Sequence, residues 1–360
     1  MKVGIAAAGS GGHVFPALAV ADALVEGGLS KEDIVFFGGD RMEATTVPDA
    51  GYPFVQLDVH GIRRSISTDN LTLPLKIRTA SRIITDHIES ESIRAMVVFG
   101  GYVSGPAGIA SRRTKIPLII HEANAVPGVA NRLLAPIAKT VYVAFAPATS
   151  KLRRATVVGN PLRSPFETFD RTELRPGARA HYGIDPDAVV LGVFGGSLGA
   201  AALNEIAESI ATDPDRDFHL LHVTGAPHFD KLSHTAASHG DWTVIPFEEE
   251  MVRLYAASDV VISRAGSMAV SELHATATPA VLVPLPSGKG YQARNADDLV
   301  RVGGGIVIAQ DHTDEIIATA IDLLTDDVRR KAMTETASAS KHRGVAKTIA
   351  EHIVDVANVG

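Results

Sequence analysis

The chain has 360 residues and a formal net charge of -7, from 34 lysines and arginines against 41 aspartates and glutamates. That length leaves room for two α/β domains with a large core, and the acidic balance argues against a general nucleic-acid binder. With no cysteine in the sequence, disulfides, thiolate metal sites and cysteine nucleophiles are excluded.

Met1-Lys2-Val3 leads straight into an apolar run, without the regions of a secretory signal, and no uncharged apolar stretch reaches the ~20 residues of a membrane span. The expectation is a cytoplasmic protein whose contact with a membrane is peripheral. Strand-like runs at 3–8, 34–37, 95–99, 118–120 and 140–143 alternate with helical patterns, as in a parallel sheet covered on both faces. From Pro74 a helix is predicted, with proline in its first turn. At about 100° per residue, Ile77, Ala80, Ile84 and Ile88 form a core stripe, while Lys76, Arg78 and Arg82 fall opposite with Leu75 and Ile83 beside them. A basic face with apolar insertions suits anionic headgroups of a membrane's inner leaflet; a solvated helix face is the bland alternative. Near Pro161 the pattern breaks, and 163–179 reads as a polar connection containing proline and glycine. Strand-like runs resume at 189–194, 219–223, 243–246, 260–262, 280–283 and 305–308, and a helical pattern closes the chain at 344–356. The expected division is 1–160, with about 343–360 packing back on it, and 161–342.

A glycine-rich loop occurs twice, as Gly9-Ser10-Gly11-Gly12-His13 and as Gly195-Gly196-Ser197-Leu198-Gly199, each between an apolar run and an alanine-rich helical pattern. Without Cβ the backbone can turn its N–H groups toward an anion at a helix N-terminus. A dinucleotide fingerprint would need glycine at Val14 and at Ser197, and neither loop has the Lys-Ser/Thr of a Walker motif. Asp-x-Asp strings at Asp185, Asp213 and Asp215 lie in polar, proline-containing connections and read as turns, so no metal site is expected there.

These loops, with Gly100-Gly101-Tyr102-Val103-Ser104-Gly105-Pro106, His121-Glu122-Ala123-Asn124, Gly159-Asn160-Pro161-Leu162-Arg163 and Ser263-Arg264-Ala265-Gly266-Ser267, resemble the bacterial peptidoglycan N-acetylglucosaminyltransferases of glycosyltransferase family 28, which make lipid II from lipid I. The match runs in order from residue 3 to about 310. The resemblance implies an α/β GT-B fold, two Rossmann-like domains facing a deep cleft. It also implies UDP-N-acetylglucosamine held mainly by the second domain, the lipid acceptor by the first, inversion at the anomeric carbon without a metal or other cofactor, and a place on the cytoplasmic face of the cell membrane among other cell-wall and division proteins.

On the donor side it implies Ser10, Gly11, Gly12, Asn124, Arg163, Ser197, Glu248, Gln292 and the segment Ser267, Met268, Ala269, Val270, Ser271 and Glu272. Arg163 would face the diphosphate, backbone near Glu248 would read uracil, and Glu272 would accept from the ribose hydroxyls, as suits an acceptor-only carboxylate. Two positions depart from the family pattern: Tyr291 before Gln292, and Ala123 where a glutamine is common. Inversion needs a base for the attacking hydroxyl. His13 follows the first glycine loop at a helix start, where the dipole disfavours the imidazolium and keeps the ring able to accept. Tyr102 and Glu122 are the acceptor-side candidates. A transferase acting on another lipid or small molecule, or a non-catalytic sugar-nucleotide-binding subunit, remains open at this stage; the first leaves the His-Glu-x-Asn block without a reason, the second leaves His13 without one.

Overall fold

The computed structural model describes residues 1–59, 69–196, 198–286, 290–339 and 343–359, so Ser197 and residues 287–289 lie outside the described residues. The chain divides into two units, Met1–Arg163 with Gly344–Gly360, and Ser164–Arg343.

The first unit is built on a seven-stranded parallel sheet. Its strands are β1 (Lys2–Ala6), β2 (Ile34–Gly38), β3 (Phe54–Gln56), β4 (Ile93–Val98), β5 (Leu118–Glu122), β6 (Thr140–Val143) and β7 (Thr156–Val157), in the order β3-β2-β1-β4-β5-β6-β7. Alternate residues serve opposite faces. Val3, Ile5, Ile34 and Phe36 join a core with the helices Gly11–Glu26 and Val345–Val359, while Ala6, Val35 and Phe37 join one with Asp69–Ser90 and Ser104–Thr114. Because both faces are covered, the strands read as continuous apolar runs rather than as an alternation. The C-terminal helix packs against Gly11–Glu26, so the end of the chain belongs to the first unit.

The second unit holds six parallel strands: β8 (Val190–Phe194), β9 (His219–Val223), β10 (Trp242–Ile245), β11 (Val260–Ser263), β12 (Ala280–Leu282) and β13 (Gly305–Val307), in the order β10-β9-β8-β11-β12-β13. In both sheets the strand order reverses once, between β1 and β4 and between β8 and β11. Ligands of open α/β sheets bind beyond the strand C-termini at that point. Both glycine-rich loops begin there.

Two segments differ from the sequence reading. The helix expected from Pro74 begins at Asp69, so the proline lies inside it, five residues past the start. The connection expected over 163–179 is largely helical, with a helix at Arg171–Tyr182. Asp170 caps it, accepting from the N–H groups of Thr172 (2.8 Å) and Glu173 (3.2 Å). Arg171, Arg175 and Arg179 recur every fourth residue along one face. Arg171 donates to the carbonyls of Tyr255 (2.8 Å) and Ser258 (2.6 Å), and the other two pair with Asp259. The polar composition of this segment reflects a helix docked through guanidinium groups.

Candidate active site

In the first unit, His13 is the third residue of the helix Gly11–Glu26. The first helical bonds run from the N–H groups of His13 and Val14 to the carbonyl of Ser10, which leaves Gly11 and Gly12 at the open N-terminus. The ring is half-buried, and its Nδ1 lies 3.1 Å from the carbonyl of Ala8. A carbonyl can only accept, so Nδ1 carries the proton and Nε2 is left with its lone pair. Ser10 Oγ lies 3.4 Å from the same Nδ1. Burial pushes the His13 pKa down, against the upward pull of Glu122, the Ala8 carbonyl and Glu43. The base-competent neutral ring is therefore the favoured form near pH 7.

Opposite the ring stands the loop that follows β4. A Cβ on Gly100, whose φ is +107°, would lie 2.6 Å from His13 Cδ2 and 2.8 Å from Nε2. Glycine is required here because both the backbone conformation and the closeness of the imidazole exclude a side chain. Behind the ring, His121 is fully buried, with Nε2 3.0 Å from the carbonyl of Gly159, and burial pushes its pKa down to about 4. It is a neutral structural histidine.

The acceptor-side candidates face inward. The Tyr102 hydroxyl donates to Glu43 Oε1 at 2.9 Å, and burial raises the pKa of the phenol. Glu122 is 3% exposed. Its Oε1 accepts from Asn124 N (3.0 Å) and Nδ2 (3.3 Å), and its Oε2 from Gly128 N (3.0 Å) and Asn131 Nδ2 (2.9 Å). The Tyr102 hydroxyl, the Glu122 carboxylate and the Asn124 amide nitrogen thus make bonds that close loops within the protein. Arg163 lays its guanidinium 5.2 Å from the centre of the Phe15 ring, and Phe15 in turn packs where a Cβ on Gly11 would sit. That stacking places Arg163 beside the first glycine loop.

In the second unit, the loop between β8 and the helix Ala201–Ala211 has Gly196 and Gly199 at φ +96° and +73°, and a Cβ on Gly199 would strike the Thr224 carbonyl. The helix Ser267–Thr276 begins at the end of β11; its first helical bond is Val270 N–H to the Gly266 carbonyl. The N–H groups of Ser267, Met268 and Ala269 therefore form its positive end, one to three residues past Gly266. Glu272, one turn further, is half-buried, and its Oε2 accepts from the buried Tyr255 hydroxyl at 2.9 Å. Ser271 precedes it on the same helix. Glu248 is buried, with its carboxylate taking the Tyr182 hydroxyl and the Glu250 N–H (2.7 Å). Gln292 accepts from Leu285 N at 2.8 Å, which turns its amide oxygen onto the loop before it.

The membrane-facing candidates separate into two sets. Leu75 is 66% exposed, and Arg78 and Arg82 are exposed. Lys76 pairs with Asp58 at 2.9 Å, and Ile83 packs on the core, because a residue beside Ile84 on the helix still lies on the flank of the buried stripe. Among the described residues no helix is long and apolar enough to cross a membrane, and no group of three or more metal-ligating side chains is found. Asp185 and Asp213 each accept the N–H two residues on, at 2.8 and 3.0 Å, which are Asx turns.

Three site residues escaped the sequence reading. Glu43 is fully buried and collects donors from three loops. Tyr255 orients Glu272, and Arg264 ties the start of the Ser267 loop to Gln310 (2.7 Å) and the Val283 carbonyl (3.1 Å). The signal for Glu43 was an acid just beyond β2, the region where a ribose-binding acid is sought in dinucleotide folds.

Family models for the glycosyltransferase family 28 N-terminal domain and C-terminal domain match residues 3–143 and 190–349. A UDP-N-acetylglucosamine--N-acetylmuramyl-(pentapeptide) pyrophosphoryl-undecaprenol N-acetylglucosamine transferase of Mycobacterium sp. (strain KMS) is 39% identical over 363 residues, 99% of this chain and 96% of that protein. A protein of the same name from Mycobacterium bovis (strain BCG / Pasteur 1173P2) is 40% identical over 370 residues, covering 99% and 89%. Among solved structures, Acinetobacter baumannii MurG superposes with a TM-score of 0.76 at 27% identity, covering 99% of this chain and all of that one.

Proposed function

The chain belongs to glycosyltransferase family 28, and from that premise we propose that it is an inverting GT-B enzyme moving N-acetylglucosamine from UDP to undecaprenyl-diphospho-N-acetylmuramyl-pentapeptide, so converting lipid I to lipid II. The observation that carries this reading is the near full-length identity to relatives bearing that activity in their name, together with a histidine of defined tautomer at the strand-order reversal of the first sheet.

In mechanism, His13 Nε2 takes the proton from the sugar hydroxyl of the acceptor as that oxygen attacks the anomeric carbon of the donor. The bond to the UDP oxygen breaks with its electron pair, and inversion follows from attack opposite the leaving group. The second unit takes the donor: Glu272 receives the ribose hydroxyls on a carboxylate oriented by Tyr255, and the N-terminus of the helix Ser267–Thr276 and the 195–200 loop offer N–H groups to phosphate. Arg163 and the Gly11-Gly12 helix start add positive potential beside the base. The helix Asp69–Ser90 docks the first unit on anionic lipid of the cytoplasmic face through Leu75, Arg78 and Arg82; the helix Ser104–Thr114 packed on it adds the exposed Ile109, Arg112 and Arg113. UDP release measured with and without a lipid I analogue tests the activity: release that does not depend on the analogue rules the acceptor out.

A further inference from the structure

The peptide group between Ala8 and Gly9 is held from both sides. Its carbonyl accepts the Nδ1 proton of His13 at 3.1 Å, and its N–H donates to Glu43 Oε2 at 3.1 Å. The other carboxylate oxygen, Oε1, takes the Gly39 N–H at 3.0 Å and the Tyr102 hydroxyl at 2.9 Å. Glu43 is 0% exposed, at the first residue of the helix Glu43–Asp49, and its partners among the described residues are two backbone N–H groups and a phenol, none of them a cation. One carboxylate thus gathers the loops that follow β1, β2 and β4. Two of those loops enclose the imidazole: Ala8 holds Nδ1, and Gly100, two residues before Tyr102, stands against the Nε2 edge.

We infer that Glu43 is a positioning residue for the base, acting on His13 through the Ala8-Gly9 peptide; this rests on the reading of His13 as the general base. A carboxylate bonded directly to the non-reacting nitrogen of a catalytic histidine fixes its tautomer and steadies the imidazolium that forms. Here a peptide is inserted between the two. Donation from its N–H end to the Glu43 carboxylate polarises the amide, which makes its carbonyl a stronger acceptor for Nδ1–H. In the reaction the acceptor's hydroxyl proton goes to Nε2, and Nδ1 keeps its own proton, hydrogen-bonded to the Ala8 carbonyl.

The titratable groups facing His13 are Glu43 from the helix after β2, and Glu122 and His121 from β5. Burial lowers the His13 pKa, and the two carboxylates oppose that. Removing the charge of Glu43 therefore lets His13 titrate at a lower pH.

Glu43→Gln keeps the shape but sets an amide NH2 against one pair of donors. The expected result is a fall in kcat of about tenfold or more, a KM for UDP-N-acetylglucosamine within about twofold, and an acid limb of kcat/KM moved to lower pH. In a His13→Ala background the same change should cost less than about twofold, because its target is gone. With nitrogen-labelled histidine, the NMR signal missing from His13→Ala reports the tautomer directly, and Glu43→Gln should dilute its Nδ1–H form. An unmoved limb with an unchanged tautomer, or an undiminished loss in the His13→Ala background, overturns the inference. Should His13→Ala keep the parent kcat, the reading of the base fails, and the tautomer signal alone then decides the role of Glu43. If Glu43→Gln does not fold, Tyr102→Phe removes one donor and leaves the carboxylate. A kcat loss of about three- to tenfold with an altered tautomer signal supports the inference, and an unaltered signal overturns it.

Discussion

Replacing Glu122 by alanine separates a loop anchor from a substrate contact. The side chain is 3% exposed, and its removal leaves four donors without their acceptor: two on Asn124, one on Gly128 and one on Asn131. Asn124 and Gly128 are partly within reach of water, whereas Asn131 is 2% exposed and stays stranded. A buried donor left unpaired costs about 1–3 kcal/mol, and hydrogen bonds to a charged group are worth about 1.5–3 each before water recovers part of the loss. The total is then about 3–5 kcal/mol, a large share of the roughly 5–15 kcal/mol that holds a domain folded. At about 2–4 °C per kcal/mol for a unit of 150–250 residues, Glu122→Ala should melt about 6–20 °C lower. Glu122→Gln keeps one oxygen and should lose about half as much. Thermal melting by circular dichroism, with hydrogen exchange of the amides at 123–128, reads both. Glu122→Ala that melts within about 2 °C of the parent, with unchanged exchange and lost kcat, would refute the anchoring role and return Glu122 to the acceptor.

Glu272→Ala should raise the KM for UDP-N-acetylglucosamine about 10- to 150-fold, from about 1.5–3 kcal/mol of charged hydrogen bonding, and Tyr255→Phe less; unchanged KM values in steady-state kinetics remove both from the donor site. Arg78→Ser with Arg82→Ser should weaken co-sedimentation with anionic vesicles at low salt about tenfold or more, at ~1 kcal/mol per cation, whereas Lys76→Ser, which loses only its pairing to Asp58, should change it little. Unaltered co-sedimentation of the Arg78→Ser, Arg82→Ser variant would place the docking surface elsewhere. His222 is buried with Nε2 donating to Asn204 Oδ1 at 2.9 Å, and burial pushes its pKa down to about 3. Its folded form stays neutral while the unfolded chain takes up a proton below about pH 6.5, so stability falls with pH by about 1.4 kcal/mol per unit from this residue alone. Melting of His222→Gln between pH 4.5 and 6 should show a slope smaller by about one proton, and an unchanged slope contradicts the assignment.

What could be read from the sequence follows from which physical effects leave a pattern in it. Strands covered on both faces must be apolar throughout, so the runs at β1, β2, β5, β8 and β11 stand out, as do glycines where a loop meets another backbone or a ring. The three-residue strand β3 at the sheet edge leaves too short a run to notice. The helix Arg171–Tyr182 was legible in principle, through Asp170 followed three residues later by Glu173 and arginines at every fourth place, yet its proline and glycine suggested a connection. The direction of a polar side chain leaves no such trace. Tyr102 and Glu43 are 59 residues apart and Lys76 and Asp58 are 18 apart, so neither pairing shows in local spacing. The reason acids point inward at this site is the lack of apolar alternatives: loops at the ends of parallel strands expose N–H groups that no helix or strand satisfies. A buried carboxylate accepts several of them at once. Glu43 and Glu122 do this for the loops around His13, one taking donors from three loops and the other from Asn124, Gly128 and Asn131.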